Sequence, residues 1–121
     1  MAKNILGTEL EDCCLDPATG FFRDGRCDTC DEDLGMHTIC AEMTIEFLEF
    51  SKKRGNDLST PREEFDFPGL KPGDRWCICM ARWVEALEAG VAPGILPRST
   101  HQSVLEHVPI EVLEKHTIKD D

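Results

Sequence analysis

Several common features are missing from this sequence, and each absence excludes a class of protein. None of its apolar runs approaches the roughly 18 residues that a membrane-spanning helix needs, so we expect no membrane partner. The first nine residues reach an acidic side chain before the apolar segment of a secretory signal develops, and we therefore expect a soluble, cytoplasmic protein. The sequence contains neither a phosphate-binding glycine loop nor a serine–histidine–aspartate order. Motifs alone thus support neither phosphoryl transfer nor acyl transfer.

A block of basic residues is also absent. The 13 lysines and arginines are outnumbered by 24 aspartates and glutamates, which gives a net charge of −11 spread along the chain. Such a surface repels phosphate backbones, and we expect no nucleic acid partner. It would suit metal cations or a basic protein partner, although a well-solvated surface explains the same charge.

Cysteine is the residue that the sequence has in excess. Seven cysteines among 121 residues are many for a chain expected in a reducing compartment. The odd number leaves at least one thiol free unless it bridges to another chain. Closely spaced cysteines in a cytoplasmic protein are more often metal ligands or redox groups than structural disulfides. We therefore expect a cysteine-rich functional site.

The length and the composition predict one small folded domain. With 40% hydrophobic and 31% charged residues, the chain is long enough for a single core over residues 1–121, with 1–4 and 119–121 frayed. The segments 5–35 and 55–73 carry turn residues without periodicity and predict long irregular loops. The predicted fold class is α+β, with three or four short helices packed on a small sheet.

The spacing of apolar residues predicts the individual elements. Apolar positions three and four apart predict helices over 36–54 and 80–89, and weaker patterns predict short helices after residue 99. Alternation over 75–80 predicts a strand, and 95–96 could add an edge strand.

Capping and turn residues predict where these elements begin and end. Thr44 is the expected N-cap of the first helix, and Gly55 is the expected residue beyond its C-terminus. Residues 71–74 predict a tight turn, because proline and glycine occupy its two central positions. Residues 99–102 have the form of a capping box.

Five segments together resemble one protein family. They are LGT at 6–8, TGFFRDG at 19–25, HTICA at 37–41, RGNDLSTP at 54–61 and FPGLKPGDRWCIC at 67–79. These segments are similar to the domain-of-unknown-function 2237 family of short, mostly bacterial proteins, and the resemblance extends over nearly the whole chain. It implies a single-domain cytoplasmic protein and implies no activity. Cys14 and Cys30 depart from the family pattern, whereas the other five cysteines match it better.

The spacing Cys27-x-x-Cys30, followed by His37 and Cys40, is the most metal-like pattern in the sequence. Zinc takes four thiolate or imidazole ligands in a tetrahedron, and a short gap lets one turn supply two of them. Copper(I) would instead fit thiolates alone. The alternative is a reduced surface pair, with Cys40 buried at the start of a helix. The whole pool of candidate metal ligands is Cys13, Cys27, Cys30, His37, Cys40, Cys77 and Cys79.

Thiol redox chemistry is a second hypothesis for the pair of Cys27 and Cys30. A redox pair usually opens a helix, whose dipole favours the attacking thiolate. Here Asp28 and the acidic residues 31–33 surround the pair. Their field favours a bound cation over a nucleophile.

Cys77 and Cys79 share one face of the predicted strand with Arg75. Two positions along a strand span roughly 6.6 Å, near the upper limit of the Cα separation in a disulfide, so we expect no bond between them. Both thiols could face one metal ion, with Arg75 favouring the thiolate form. Burial of both as small apolar side chains explains the pattern equally well.

An enzyme is a further alternative, with its pocket between the 55–73 loop and the Arg75/Cys77/Cys79 face. Asp57 would serve as a base and Arg75 as an anion clamp, and Cys77 is the third candidate catalytic residue. The structural explanation is that Asp57 caps a turn while Asp74 pairs with an arginine.

A protein-interaction module is the last alternative. The apolar loop residues Phe65, Phe67 and Leu70 could hold a protein partner or a second copy of the chain in a homo-oligomer. The sequence does not rank this module against the enzyme.

Overall fold

The computed structural model describes residues 2–15, 18–62 and 69–118. Along them the elements are β1 (His37–Glu42), α1 (Ile45–Lys53), β2 (Arg75–Cys79), α2 (Met80–Glu88), the 3₁₀ helices Pro97–Ser99 and Gln102–Glu106, and α3 (Ile110–Lys115). The three α-helices and the two-stranded antiparallel sheet confirm the predicted α+β class. No helix in this described part of the chain is long and apolar enough to cross a bilayer.

The two strands contact a different cluster on each face of their sheet. The antiparallel register places Cys40 opposite Cys77 and Ala41 opposite Trp76. Because side chains alternate along a strand, the two cysteines share one face, while Ala41, Trp76 and Ile78 join the apolar cluster on the other. The centre of that apolar cluster is fully buried: Ile39, Phe47, Trp83, Ile95, Val104 and Leu113.

The limits of α1 and α2 follow the local signals in the sequence. The Thr44 hydroxyl accepts a hydrogen bond from the Phe47 N–H at 3.1 Å, as predicted for the N-cap of α1. Gly55 follows α1 with a φ of +89°, in the left-handed region that ends many helices. Gly90 has the same role after α2, with a φ of +78°.

The segment 55–73 has no helix or strand among its described residues, 55–62 and 69–73, as predicted. Its last residues form the predicted turn, since the Asp74 N–H donates to the Lys71 carbonyl at 3.0 Å. Leu70 is 2% exposed and packs against the apolar cluster within this fold. Phe65 and Phe67 lie outside the described residues, so Leu70 is the one described member of the predicted interaction surface, and it is buried.

The helix predicted over 36–54 is wrong in its first part. Residues 37–42 form β1, and α1 begins only at Ile45. The interior residues of β1 are all buried, so the strand reads as a continuous apolar run without alternation. The expected edge strand at 95–96 is reduced to isolated bridges from Ile95 to Ala41 and Thr117.

The predicted capping box at 99–102 is also wrong. The Ser99 hydroxyl donates to the Asp12 carbonyl at 2.9 Å and so holds the N-terminal segment instead of capping a helix. The 3₁₀ helix that follows has His101 as its N-cap, with the ring Nδ1 accepting from the Ser103 N–H at 3.1 Å.

Asn4, the last residue of the segment 1–4 that the sequence predicts to be frayed, is held in the fold. Asn4 is fully buried, and its side-chain amide donates to the Thr8 hydroxyl and to the carbonyls of Glu9 and Arg98. These bonds tie the N-terminus to the 3₁₀ region. Residues 119–121 and the turn expected at 16–17 lie outside the described residues.

Candidate active site

Four of the seven cysteines form two disulfides on the cysteine face of the sheet. Cys13 bonds to Cys40 of β1 and Cys27 bonds to Cys77 of β2, with Cα separations of 5.8 and 5.3 Å. All four are between 0 and 7% exposed. The bonds attach the irregular N-terminal segment to the sheet. The two disulfides differ from the expectation that these cysteines are metal ligands or redox groups. The close spacings in the sequence gave no sign of bonds between cysteines 27 and 50 residues apart.

The disulfide cluster is also the place where the described residues come closest to a metal site. The sulfurs of Cys13, Cys27 and Cys77 all lie within 4.8 Å of one another, close enough for one ion to contact all three. Zinc and copper(I) bind thiolates, however, and sulfurs joined in a disulfide are not thiolates. In this oxidised form the cluster therefore offers no ligand set.

The predicted zinc motif is divided between two places. Cys27 is buried in its disulfide, whereas Cys30 is an exposed free thiol, so the two do not act as a pair. The other free thiols are Cys14 and Cys79, both half-buried. His37 contacts Cys79 and does not join the disulfide cluster.

The strand register brings His37 and Cys79 together at one end of the sheet, where they are opposed residues. The pairing is irregular between His37 and Ile39, which leaves Thr38 as an extra residue on β1. Irregularities of this kind re-aim neighbouring side chains and are common next to active sites. The Cys79 Sγ lies 4.0 Å from the His37 Nε2, within the reach of a hydrogen bond to sulfur.

Cys79 is also the N-cap residue of α2, so it stands at the positive end of the helix dipole. A histidine partner and a helix N-terminus are the surroundings that activate cysteine nucleophiles in enzymes. The strand-to-helix junction therefore gives Cys79 both features through local sequence and strand pairing.

Asp33 binds the opposite side of the His37 ring. Its Oδ1 lies 2.7 Å from His37 Nδ1, and its Oδ2 accepts from the His37 backbone N–H at 2.9 Å and the Thr29 hydroxyl at 3.0 Å. Asp33 is 3% exposed, so this buried carboxylate is hydrogen bonded at both oxygens. Cys79, His37 and Asp33 form a contact chain of thiol, imidazole and carboxylate, the arrangement of a catalytic triad.

The charges of the triad are set by these contacts. The hydrogen bond with Cys79 raises the pKa of His37 to about 9; partial burial opposes the rise, and Asp33 adds to it. Burial alone raises the pKa of Asp33, but the hydrogen bonds from His37 and Thr29 outweigh it and hold that pKa below its ordinary value. At neutral pH an imidazolium therefore lies between the carboxylate and the sulfur.

The backbone around Gly35 makes the close approach of Cys79 and His37 achievable. A Cβ at Gly35 would lie 2.8 Å from the Cys79 Sγ and 2.9 Å from the His37 Cε1, so a side chain there would push both groups. Met36, directly before His37, has a φ of +49°, a conformation that costs a non-glycine residue roughly 1–2 kcal/mol. Strained residues of this kind cluster at functional sites.

A cleft of about 440 Å³ opens beside His37 and Cys79. Its wall includes Phe21 and Arg23 of the N-terminal segment, Trp76 of β2 and Arg82 of α2. The 55–73 segment contributes Asn56, Leu58 and Arg62. The volume suits a small molecule. The cleft lies between the 55–73 segment and the strand that carries Cys77 and Cys79. The sequence predicted an enzyme pocket between this segment and the Arg75/Cys77/Cys79 face, and of these three residues the cleft wall contains the two cysteines.

Asp57, the predicted base, lies in a turn of the 55–73 segment. Its carboxylate accepts hydrogen bonds from the N–H groups of Ser59 at 3.0 Å and Thr60 at 3.2 Å. These contacts, the Thr60 hydroxyl first among them, lower the pKa of Asp57 to about 2. A half-buried carboxylate bonded in this way caps a turn, as the structural alternative from the sequence predicted.

Arg75 and Cys77, the other two predicted catalytic residues, are engaged elsewhere. Arg75 lies 3.9 Å from Glu42 and is not part of the cleft wall. Cys77 reaches the cleft, but its sulfur is bonded to Cys27. Asp74 was expected to pair with an arginine, but its carboxylate instead accepts a hydrogen bond from the Lys71 N–H at 2.9 Å.

Sequence reasoning missed Asp33 as the partner of His37 and counted it among the acidic surroundings of Cys27 and Cys30. The available signal was a carboxylate four residues before a histidine, ahead of an apolar strand. That spacing is common on protein surfaces, so it identifies no site by itself. The decisive fact is the burial of Asp33, which only the packed structure supplies.

Comparison with known families agrees with the resemblance found in the sequence. Residues 3–117 match the family described as an uncharacterized protein conserved in bacteria. The chain belongs to the DUF2237 family. A search of curated proteins found no match.

Proposed function

We propose that this DUF2237 protein is a thiol-dependent acyl hydrolase, with Cys79 as the nucleophile and His37 as its acid–base partner. Asp33 is the positioning residue that holds the His37 ring. The observation that supports the proposal is the contact chain from Cys79 through His37 to Asp33, two members of which line the cleft. The same order of groups serves hydrolases on unrelated folds.

The proposed reaction has two halves. The Cys79 thiolate attacks the carbonyl carbon of an ester or thioester, the bond to the leaving group breaks, and the His37 imidazolium gives its proton to that group. Water then attacks the resulting thioester while neutral His37 accepts a proton from it. The carboxylic acid leaves, and the thiolate and the imidazolium are restored.

The hydrogen-bond pattern around His37 fits both halves. Since Asp33 occupies Nδ1, the ring presents Nε2 toward the sulfur. Nε2 is the atom that must carry the transferred proton. The additional bond from the His37 backbone N–H to Asp33 fixes the ring to the same carboxylate at two points. The ring therefore keeps its orientation when its charge changes.

The test uses a chain with the substitutions Cys14→Ser and Cys30→Ser, which leaves Cys79 as the one free thiol among the described cysteines. This chain is mixed with p-nitrophenyl acetate, and release of p-nitrophenol and the intact mass are followed together. We expect a burst of one p-nitrophenol per chain and a mass gain of one acetyl group on Cys79. His37→Gln should slow the burst by roughly 100-fold or more.

The matched controls are Cys79→Ser and His107→Gln, the second being a histidine outside the triad and the cleft wall. Cys79→Ser should abolish the burst, and His107→Gln should leave it unchanged. Equal rates in the parent and in Cys79→Ser would overturn the proposal. A bond from Cys79 to Cys77 or Cys27 in place of acetylation would overturn it in favour of thiol–disulfide exchange.

Zinc binding is a second proposal, and it applies to the reduced chain. It is motivated by the three sulfurs within 4.8 Å of one another, with Cys40 bonded to one of them. Two molecules of a dithiol reductant would convert both disulfides to four thiols and would themselves become disulfides. A cytoplasmic location, as predicted, would favour this reduction.

Elemental analysis after anaerobic reduction with dithiothreitol and desalting in the presence of zinc tests this second proposal. One zinc per chain is expected, with loss of the metal in Cys27→Ser and retention in the matched variant Cys30→Ser. Chains that hold no zinc while all their thiols are reduced would contradict it.

A further inference from the structure

Among the described residues, the wall of the cleft beside Cys79 has the opposite charge balance to the chain as a whole. The protein carries a net charge of −11, with only seven arginines. Three of these, Arg23, Arg62 and Arg82, line the cleft together with His37, and no aspartate or glutamate of the described residues belongs to its wall. Guanidinium groups gathered in an acidic protein favour an anion at this place.

The cleft arginines are largely free to receive a ligand. Among the described residues, neither Arg23 nor Arg62 has a carboxylate within ion-pair distance. Arg82 donates to the Arg54 carbonyl at 3.1 Å and lies 3.5 Å from a Glu85 oxygen, both through Nη1. Because a guanidinium has five donors in a planar fork, Arg82 keeps donors for a second partner.

Apart from Asn56, the rest of the described wall is mostly apolar and in part aromatic. Arg23 lies over the Trp76 ring at 5.3 Å, which fixes the guanidinium against the cleft wall. Arg23 also adopts a φ of +56°, so its backbone is held in an uncommon conformation where it meets the cleft. Phe21 and Leu58 supply further apolar surface. A ligand that fits needs a small anionic group and an apolar body.

We propose that the cleft binds a small organic anion, its carboxylate or phosphate held by Arg23, Arg62 and Arg82 and its apolar part against Trp76 and Phe21. That this anion is the substrate of Cys79 rests on the function proposed above. The binding itself requires no thiol chemistry. The two inferences can therefore fail separately.

The experiment uses Cys79→Ser chains, in which binding is measured without acylation. Phenylacetate and phenyl phosphate are compared with the neutral phenylacetamide and benzyl alcohol by isothermal titration calorimetry. Tryptophan fluorescence serves as a second readout, since Trp76 lines the cleft and Trp83 is fully buried. We expect at least one anion to bind roughly 10-fold or more tightly than its neutral counterpart. Whether phenylacetate or phenyl phosphate binds more tightly shows whether the site prefers a carboxylate or a phosphate.

Arginine variants locate the binding. Arg23→Gln and Arg62→Gln should each weaken the affinity for the anion by roughly 10-fold. Arg98 lies outside this cleft, so Arg98→Gln should leave the affinity unchanged. Equal binding of neutral and anionic compounds, or equal weakening by Arg98→Gln, would overturn the anion site. Anion binding by Cys79→Ser, combined with no acetylation of Cys79 in the p-nitrophenyl acetate assay, would retain the anion site and refute only the proposed hydrolase.

Discussion

Replacing Gly35 by alanine tests the packing of the triad with the smallest change of side chain. A Cβ at this position would lie 2.8 Å from the Cys79 Sγ and 2.9 Å from the His37 Cε1. Ordinary contact to a Cβ begins at about 3.4 Å, so the sulfur and the ring must each retreat by about 0.5–0.6 Å. The methyl group would press on both of the groups that the proposed reaction brings together.

The two expected effects of Gly35→Ala have different sizes. A misplacement of about 1 Å can cost roughly 100-fold in rate, so a shift of about half that size should slow acetylation of Cys79 by roughly 10-fold. The stability change should be small, because both displaced atoms belong to side chains at the edge of a cleft. The loss of backbone freedom in the unfolded chain further favours alanine by about 0.4–1 kcal/mol. We expect the free energy of unfolding to stay within about 1 kcal/mol of the parent value.

The assay combines the p-nitrophenyl acetate burst with urea unfolding of the same preparations. Gly73→Ala is the contrasting variant, since Gly73 has a φ of +96°, open space around it and a place outside the cleft. It should lose about 1 kcal/mol of stability and keep the full burst rate. A Gly35→Ala chain that acetylates at the parent rate would refute the contact between Gly35, His37 and Cys79 as the source of reactivity.

Three further perturbations test other parts of the structure. Asp33→Asn should slow acetylation by roughly 100-fold or more, because an amide can donate to His37 Nδ1 and so disfavour the imidazolium; a stopped-flow burst at parent rate would contradict this. The folded pKa of His37, about 9, exceeds its ordinary 6.5, so its stabilising effect is complete below about pH 6.5 and is lost as the pH rises through about 9. Because the His37 side chain is 41% exposed, solvent screening reduces this stabilisation to roughly 1 kcal/mol. The free energy of unfolding in urea should therefore fall by about that amount between about pH 6 and pH 10 in the parent, and His37→Gln should lack this fall. Replacing both Cys27 and Cys77 by alanine opens a loop of 50 residues and should cost about 4 kcal/mol in the same unfolding assay, and a loss below about 1 kcal/mol would argue against a structural disulfide.

Local signals in the sequence determined the class of the fold and many of its boundaries. The α+β class, the strand β2, the helix α2 and the caps at Thr44 and Gly55 depend on neighbours a few residues apart, so spacing and capping chemistry are sufficient to predict them. Local signals missed β1, because burial on both faces removes the alternation that identifies a strand. The family was also readable, since the resemblance depends on contiguous motifs.

Only the tertiary structure decided which of the cysteines are joined and which stay free. The contact between His37 and Cys79 spans 42 residues, and the disulfides span 27 and 50. These distances are set by the antiparallel register and by the way in which the N-terminal segment lies on the sheet. Cys27 and Cys30 are close in the sequence, but the fold buries Cys27 in a disulfide and leaves Cys30 exposed. The register instead joins His37 to Cys79, because strand pairing fixes contacts between residues that no local pattern relates.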